Sequence, residues 1–350
     1  MKRVRGKRAG GKNQENQILR VSTPLREPFK SISSFPPTGL PSSQVERPFR
    51  LLSTWAVLPI PRTGKRPHAL TVIKTTDQSV LEIIGALAGA SPLLLDTLPW
   101  TEIAPLRDQN GGLLIVPVGA TEQHGPHLPI SCDTIIATAT CWFASAKTGV
   151  PVAPAIPCSV SSGHTAKWPG TFSLGHETFV ACIRDYAAWA AATGWKRLLF
   201  INAHFGNDAS LRVAIEQIRT RHLGDLLAGV RNTYALTPEI WSAFTADAAD
   251  LHANKAETDL LLHLTPGLVR TGKLAAADDP DRTRDSIFSY PVAQTSLNGV
   301  TGFPSRATAE DGATLFEQMG TALANLVEQA KTDTPPLSPD HWSDVHLPKI

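Results

Sequence analysis

Residues 113–133 read LLIVPVGATEQHGPHLPISCD. Leu113 to Val118 are apolar and β-prone, and such a run reads as a buried strand. The run stops at Gly119, and the loop beyond it supplies Glu122, His124, His127 and Asp133. Polar groups just past the carboxyl end of a strand stand where open α/β sheets place their sites. Carboxylates together with imidazoles are a ligand set that suits zinc or manganese. The stretch therefore points to a metal hydrolase built on an α/β sheet.

Downstream of this stretch, strand and helix signals alternate. Thr134–Lys147 reads as a helix started by Asp133 or Thr134 and ended before Gly149. Val152–Ile156 reads as a second strand. Glu177–Thr193 is helical, with Phe179, Ile183, Tyr186 and Ala190 on one face and Gly194 as its stop. Arg197–Asn202, RLLFIN, is a third buried strand. Asp208–Arg221 is amphipathic through Leu211, Ile215 and Ile218, and Leu226–Val230 reads as a further strand. Lys255–Leu264 is a short helix and Thr308–Gln329 a long one. This alternation implies a mostly parallel sheet with helices on both faces.

The chain has 350 residues, room for one large or two ordinary domains. No window approaches the apolar length of a membrane span, so no membrane partner is expected. The net charge of +2 hides an asymmetry: residues 1–92 hold 15 Lys and Arg against 5 Asp and Glu, and the remainder holds 18 against 26. Residues 1–92 are expected to be a basic, disordered or loosely packed extension, with a transit peptide as the alternative. A nucleic-acid arm is not favoured, because the basic residues are spread out and lack an aromatic platform. Residues 93–330 are expected to form the catalytic domain, and residues 331–350 a Pro-rich tail over its surface. Cys132, Cys141, Cys158 and Cys182 show no CxxC spacing, which fits a reducing compartment and a cytoplasmic location. Cys132 could act as a nucleophile or ligand, but Asp133 beside it suits the role better.

Four segments group as one constellation. They are Glu122-x-His124 with Asp133, His164 in SSGHTAKWPGT, Asn202-Ala-His204-Phe-Gly206-Asn207, and His252-x4-Glu257. A Glu, an Asp and two His from separate loops can hold one divalent ion and leave a position for water. A fifth ligand, with one carboxylate bridging, would allow two ions. Water so bound loses a proton near neutral pH and can attack a carbonyl. Bland readings stand beside these. Glu122 could be a surface charge, His124 a loop brace, Asp133 a helix cap and His204 a core histidine; His252 and Glu257 alone are evenly balanced. His127, near Pro126 and Pro129, is expected to be structural or to support a ligand. His176, His222 and His263 read as packing or surface residues, and Lys255 with Asp259 as a solvated face.

At these residues the chain resembles the creatininase family of metal-dependent amidohydrolases. VPVGATEQHGPHLPISCD is similar to that family's opening signature, WPGTFSL to its second block, NAHFGN to its third and HANKAETDLLL to its fourth. The resemblance implies a three-layer α/β/α sandwich, two divalent ions, expected to be zinc and/or manganese with iron(II) as the alternative, and a homo-oligomer, commonly a hexamer. It implies that Glu122, Asp133 and His204 bind one ion, that His124 and the bridging Asp133 bind the second, and that His252 is the proton shuttle, with Glu122 also needed for catalysis. Creatinine hydrolases carry a Glu two residues after the third-block His, where this chain has Gly206, so Glu257 is the candidate that completes the second site. They also carry a Trp four residues before the shuttle His, where this chain has Ala248, so creatinine is not the expected substrate. The expected reaction is hydrolysis of an amide, lactam or small-peptide C–N bond. The alternatives are a mycofactocin precursor peptide peptidase, which the SSGHTAKWPGTFSLGHE block most resembles, and a non-catalytic binding or assembly protein.

Overall fold

The computed structural model describes residues 76–164 and 167–345. Its sheet is parallel, in the order β1 (Leu113–Val118), β2 (Arg197–Asn202) and β3 (Leu227–Asn232). Val118 pairs with Asn202, and Asn202 with Asn232. The three strands thus end in step, and the loops that follow β1 and β2 leave from one edge.

The segment 152–156, expected as a strand, runs parallel to β1 but makes only separate bridges, Ile115 to Val152 and Val118 to Ile156. Pro151, Pro154 and Pro157 remove an amide donor at every third residue, so no continuous ladder can form. Its outer side bonds to Leu93 and Leu95 through Val152.

Helices α1 (Thr76–Ala88) and α2 (Trp100–Gln109) precede β1. Then come α3 (Cys132–Thr148), α4 (His176–Ala192) and, between β2 and β3, α5 (Asp208–Arg221). Beyond the sheet lie α6 (Pro238–Phe244), α7 (Lys255–Leu264), the single turns α8 (Leu274–Ala277) and α9 (Val292–Thr295), and α10 (Ala309–Ala330). Side chains alternate across the strands. Leu113, Ile115, Leu199 and Ile201 enter one core with residues of α1, α3, α6, α7 and α10. Leu114, Val116, Val118, Leu198 and Phe200 enter a second core with α4 and α5. Both faces are covered, as a parallel sheet requires, and the result is an α/β/α sandwich.

Helix α10 buries Leu315, Phe316, Met319, Leu323 and Val327, a stripe at helical spacing. Burying each such side chain stabilises the fold by about 1.5–3 kcal/mol. Thr308 caps this helix by accepting from the Asp311 amide at 3.1 Å.

Helix α1 falls inside the stretch expected to be a loose extension. Its Val80 and Ile84 are buried in the core that contains α3, so the folded part reaches back at least to Thr76. The remainder of that expectation, residues 1–75, lies outside the described residues. At the other end, Arg197 Nη2 donates to the Asp333 carbonyl at 3.0 Å and Lys331 Nζ to the Thr148 carbonyl at 2.7 Å. Among the described residues no helix is long and apolar enough to cross a membrane.

Candidate active site

The loop after β1 is held close to α3. At Gly119 an added Cβ would lie 2.5 Å from Thr134 Cα, so only glycine lets the strand end turn there. Ser159 Oγ and Asn207 Nδ2 both donate to the Gly119 carbonyl, at 2.8 and 3.0 Å. Further on, the Gln123 amide donates to Thr171 Oγ1 at 2.9 Å, so the WPGT block tethers the loop. After β2, the His204 amide donates to Asn202 Oδ1 at 3.1 Å, and Asn207 Oδ1 accepts from the Val160 amide at 3.1 Å. The two asparagines therefore lace the β2 loop to its neighbours. The third contribution comes from the start of α7. Asn254 caps it by accepting from the Glu257 amide, and Glu257 Oε2 reaches back to the Ala253 amide at 2.5 Å, a reciprocal cap. Ala253 takes φ 50°, a left-handed conformation that separates His252 from the helix.

These loops bring Glu122, His124, Asp133, His204, His252 and Glu257 together, all buried. His124 Nε2 lies 3.2 Å from Asp133 Oδ1 and 4.0 Å from Glu257 Oε2. His204 Nδ1 lies 3.3 Å from Asp133 Oδ2, and His204 Nε2 lies 3.2 Å from Glu122 Oε2. His252 Nδ1 lies 3.3 Å from Glu122 Oε1. Among the described residues, three donor sets have their ligating atoms within 4.8 Å of one another: Glu122, Asp133 and His204; His124, Asp133 and Glu257; and Glu122, His124 and His252. Asp133 belongs to the first two.

Among the described residues, neither Glu122 oxygen, nor Asp133 Oδ2, nor His124 Nε2 has a hydrogen-bond partner. Buried polar atoms are normally paired, and an unpaired buried carboxylate is expensive. Several around one space are the arrangement that a cation satisfies. The imidazoles are oriented for it. His124 Nδ1 donates to the Glu122 carbonyl at 3.0 Å and His204 Nε2 to the Val160 carbonyl at 2.8 Å. Each ring thereby presents its other nitrogen to Asp133. The donors fit divalent ions.

Electrostatics agree. Burial raises the Glu122 carboxyl and pushes Glu257 up to about 7. Burial also works against charge on Asp133, but His124 and His204 outweigh it and hold that carboxyl well below the usual range. Burial opposes protonation of His204, yet Glu122 and Asp133 bring it up to about 9; His124 is raised in the same way by Asp133. Burial, with His164 and His124 nearby, holds His252 well below an ordinary histidine. The same burial pushes the Cys132 thiol up to about 12, which makes it a poor nucleophile.

Other residues depart from expectation. His176 lines the cavity and its Nδ1 pairs with Ser210 Oγ at 2.7 Å, so it is not merely a packing residue. Asp259 is buried and holds Lys255 at 2.7 Å, so this pair is not a solvated face. His127 does brace the loop: its Nε2 pairs with Thr258 Oγ1 at 2.9 Å. Gln123 and Ser161 also belong to the site, though as ordinary polar loop residues neither is distinctive in the sequence. Gln123 contacts His164 and His252, and Ser161 Oγ lies 3.4 Å from His204 Nε2. Only the position of Gln123 between two candidate ligands hinted at this. The cavity over the cluster has a volume of about 450 Å³, and its outer wall includes Phe205, Phe288 and Tyr290.

A doubly covered parallel sheet carrying a buried carboxylate–imidazole cluster at its strand ends defines a hydrolase with a candidate metal-binding site. Residues 96–327 match the family model Creatininase, described as creatinine amidohydrolase. The chain belongs to the creatininase family of amidohydrolases. It is 35% identical over 218 residues to a mycofactocin precursor peptide peptidase of Mycobacterium ulcerans, covering 59% of this chain and 80% of that one. It is 27% identical over 252 residues to a creatinine amidohydrolase of Pseudomonas putida, covering 66% and 95%. A crystal structure of creatinine amidohydrolase superposes with a TM-score of 0.61 at 25% identity, covering 69% of this chain and 99% of that one.

Proposed function

We propose that the chain is a binuclear metal-dependent hydrolase that cleaves the C–N bond of an amide, a lactam or a small peptide. The observation that carries this reading is the pair of donor sets that share Asp133. Glu122, Asp133 and His204 would hold one divalent ion, and His124, Asp133 and Glu257 the other. Carboxylate and imidazole donors accept zinc, manganese or iron(II), with zinc or manganese favoured. Ions held there supply Lewis acidity toward a water and a substrate carbonyl. Gly206 supports the role given to Glu257, because a side chain at 206 would begin 2.5 Å from His204 Nε2.

His252 is the proton shuttle in this reading. Its Nε2 donates to the Gln123 carbonyl at 2.8 Å, so Nδ1 carries the lone pair toward Glu122. Its lowered pKa keeps that nitrogen free at neutral pH. Nδ1 takes a proton from the nucleophile and returns it to the departing nitrogen, a general acid–base role. Glu122 holds the charge balance beside it. Phe288 and Tyr290, exposed at the cavity wall, offer apolar surface to a substrate.

Ala248 is buried and does not line the cavity, which agrees with a substrate other than creatinine. A narrower reading, a peptidase acting on a mycofactocin precursor peptide, is supported by the relative of that name at 35% identity. We also propose a homo-oligomer, supported by exposed Trp100 and Trp189, and a cytoplasmic location, supported by four unpaired cysteines. The test is a screen of amides, lactams, formamides and short peptides with each metal. Turnover that depends on added metal is expected. A chain that binds no divalent ion and is not activated by one would refute the reading.

A further inference from the structure

Two ring nitrogens approach Glu122 Oε1, and one residue gives them opposite hydrogen-bond polarity. Gln123 is buried. Its Oε1 accepts from the Gly125 amide at 2.9 Å, and its Nε2 donates to the Gly299 carbonyl at 3.1 Å. A backbone donor on one side and a backbone acceptor on the other leave one orientation for the side-chain amide. Gly299 itself, at φ +87°, has no room for a Cβ, which would collide with that amide.

The second Nε2 hydrogen of Gln123 therefore points to His164 Nδ1, 2.9 Å away, and that nitrogen must accept. Neutral His164 then carries its proton on Nε2, which lies 3.4 Å from Glu122 Oε1 in a ring that lines the cavity. The Gln123 carbonyl does the reverse for His252. It accepts from Nε2 and leaves a lone pair on Nδ1, 3.3 Å from the same oxygen. Gln123 Nε2 also lies 3.0 Å from His252 Nε2, but that nitrogen gives its hydrogen to the main-chain carbonyl of Gln123 and has no lone pair with which to accept. The two rings sit 4.3 Å apart, tilted by 56°.

We propose that Gln123 is a positioning residue that sets the tautomers of His164 and His252, so that the cavity holds a fixed N–H donor beside a fixed acceptor. Amide hydrolysis uses both. The donor suits the carbonyl oxygen as it gains charge, and the acceptor suits the proton of the nucleophile. That use rests on the hydrolase reading; the tautomers do not. A buried glutamine that only braced its loop would engage Gly125 and Gly299 without controlling either ring.

Long-range 1H–15N correlation spectra of the full-length chain, with and without zinc, read the protonated nitrogen directly. His164→Asn and His252→Asn assign the signals. Both rings should show a single tautomer with the proton on Nε2. Gln123→Glu replaces the donor by an acceptor, so the His164 proton should move to Nδ1 while His252 is unchanged. Gln123→Met removes the donor, and His164 should then sample both tautomers. A wild-type His164 protonated on Nδ1 would overturn the proposal, even if neither variant folds. So would a His164 state that is the same in the wild type and both variants. The expected tautomers without hydrolysis of any substrate would support the role of Gln123 and count against the hydrolase reading instead.

Discussion

The Ala253 amide donates to Glu257 Oε2 at 2.5 Å, so one carboxylate both closes the first turn of α7 and faces His124 across the site. Glu257→Ala should therefore have two effects. Metal content should fall from two ions per chain to one, and unfolding should become easier by ~1 kcal/mol through loss of the cap. Elemental analysis and urea titration check both. Retention of two ions would remove Glu257 from the second site.

Glu122→Gln keeps the shape of the side chain and removes its charge. Hydrolysis should be abolished and the first ion lost, while the second is retained. Unchanged turnover in this variant would show that Glu122 takes no part in the mechanism.

Asn207 donates to the Gly119 carbonyl and to Asn202 Oδ1, and accepts from the Val160 amide. Asn207→Ala leaves several buried polar groups unpaired and should destabilise the fold by ~2–3 kcal/mol. Metal affinity should fall with it, because the loops carrying Glu122 and His204 lose their lacing. Calorimetric unfolding and metal titration measure the two losses.

His127 is pushed down to about 4, first by burial and then by the charge of His124. Its folded pKa lies below the unfolded value, so the neutral ring is the form the fold prefers. The stability it brings is full above the ordinary histidine pKa of about 6.5 and is lost as pH falls through about 4. The shift corresponds to at most about 3 kcal/mol. His127→Gln should lose less stability than the wild type between about pH 7 and about pH 4.5, as read by urea midpoints. Identical losses would place the acid sensitivity elsewhere.

Truncation separates the two parts of the basic front segment. A chain lacking residues 1–90 loses buried Val80 and Ile84, about 3–6 kcal/mol of apolar burial. It should melt well below a chain lacking residues 1–75. Equal melting temperatures would show that α1 contributes no core.

The elements that could be read in advance are those with sharp ends. LLIVPV and RLLFIN are uninterrupted apolar runs, and β1 and β2 match them residue for residue. Helix α5 and helix α7 also match their expected limits. Helix α2 escaped because it buries no residue fully and carries Pro105, so it shows no apolar stripe. Helix α1 is not legible because it follows a basic, Pro-rich stretch whose composition masks its short apolar stripe. In the site, Glu122, His124, Asp133 and His204 stand out by residue type, since acids and imidazoles after apolar strands are unusual, whereas His252 and Glu257, at the start of α7, are evenly balanced on that ground and draw their expected roles from the family resemblance. The geometry that joins them was not legible. Gln123 looks like any polar loop residue until Gly299, far along the chain, is folded against it. His176 likewise reaches the cavity only because α4 starts beside the β2 loop.

The most direct measurement is the number of divalent ions bound per chain in the wild type and in Asp133→Ala. Sharing of Asp133 by two sites predicts two ions in the wild type and none held tightly in the variant, a larger loss than Glu122→Gln or Glu257→Ala alone produces. A wild-type chain that binds no ion, or an Asp133→Ala chain that still binds two, would contradict the account.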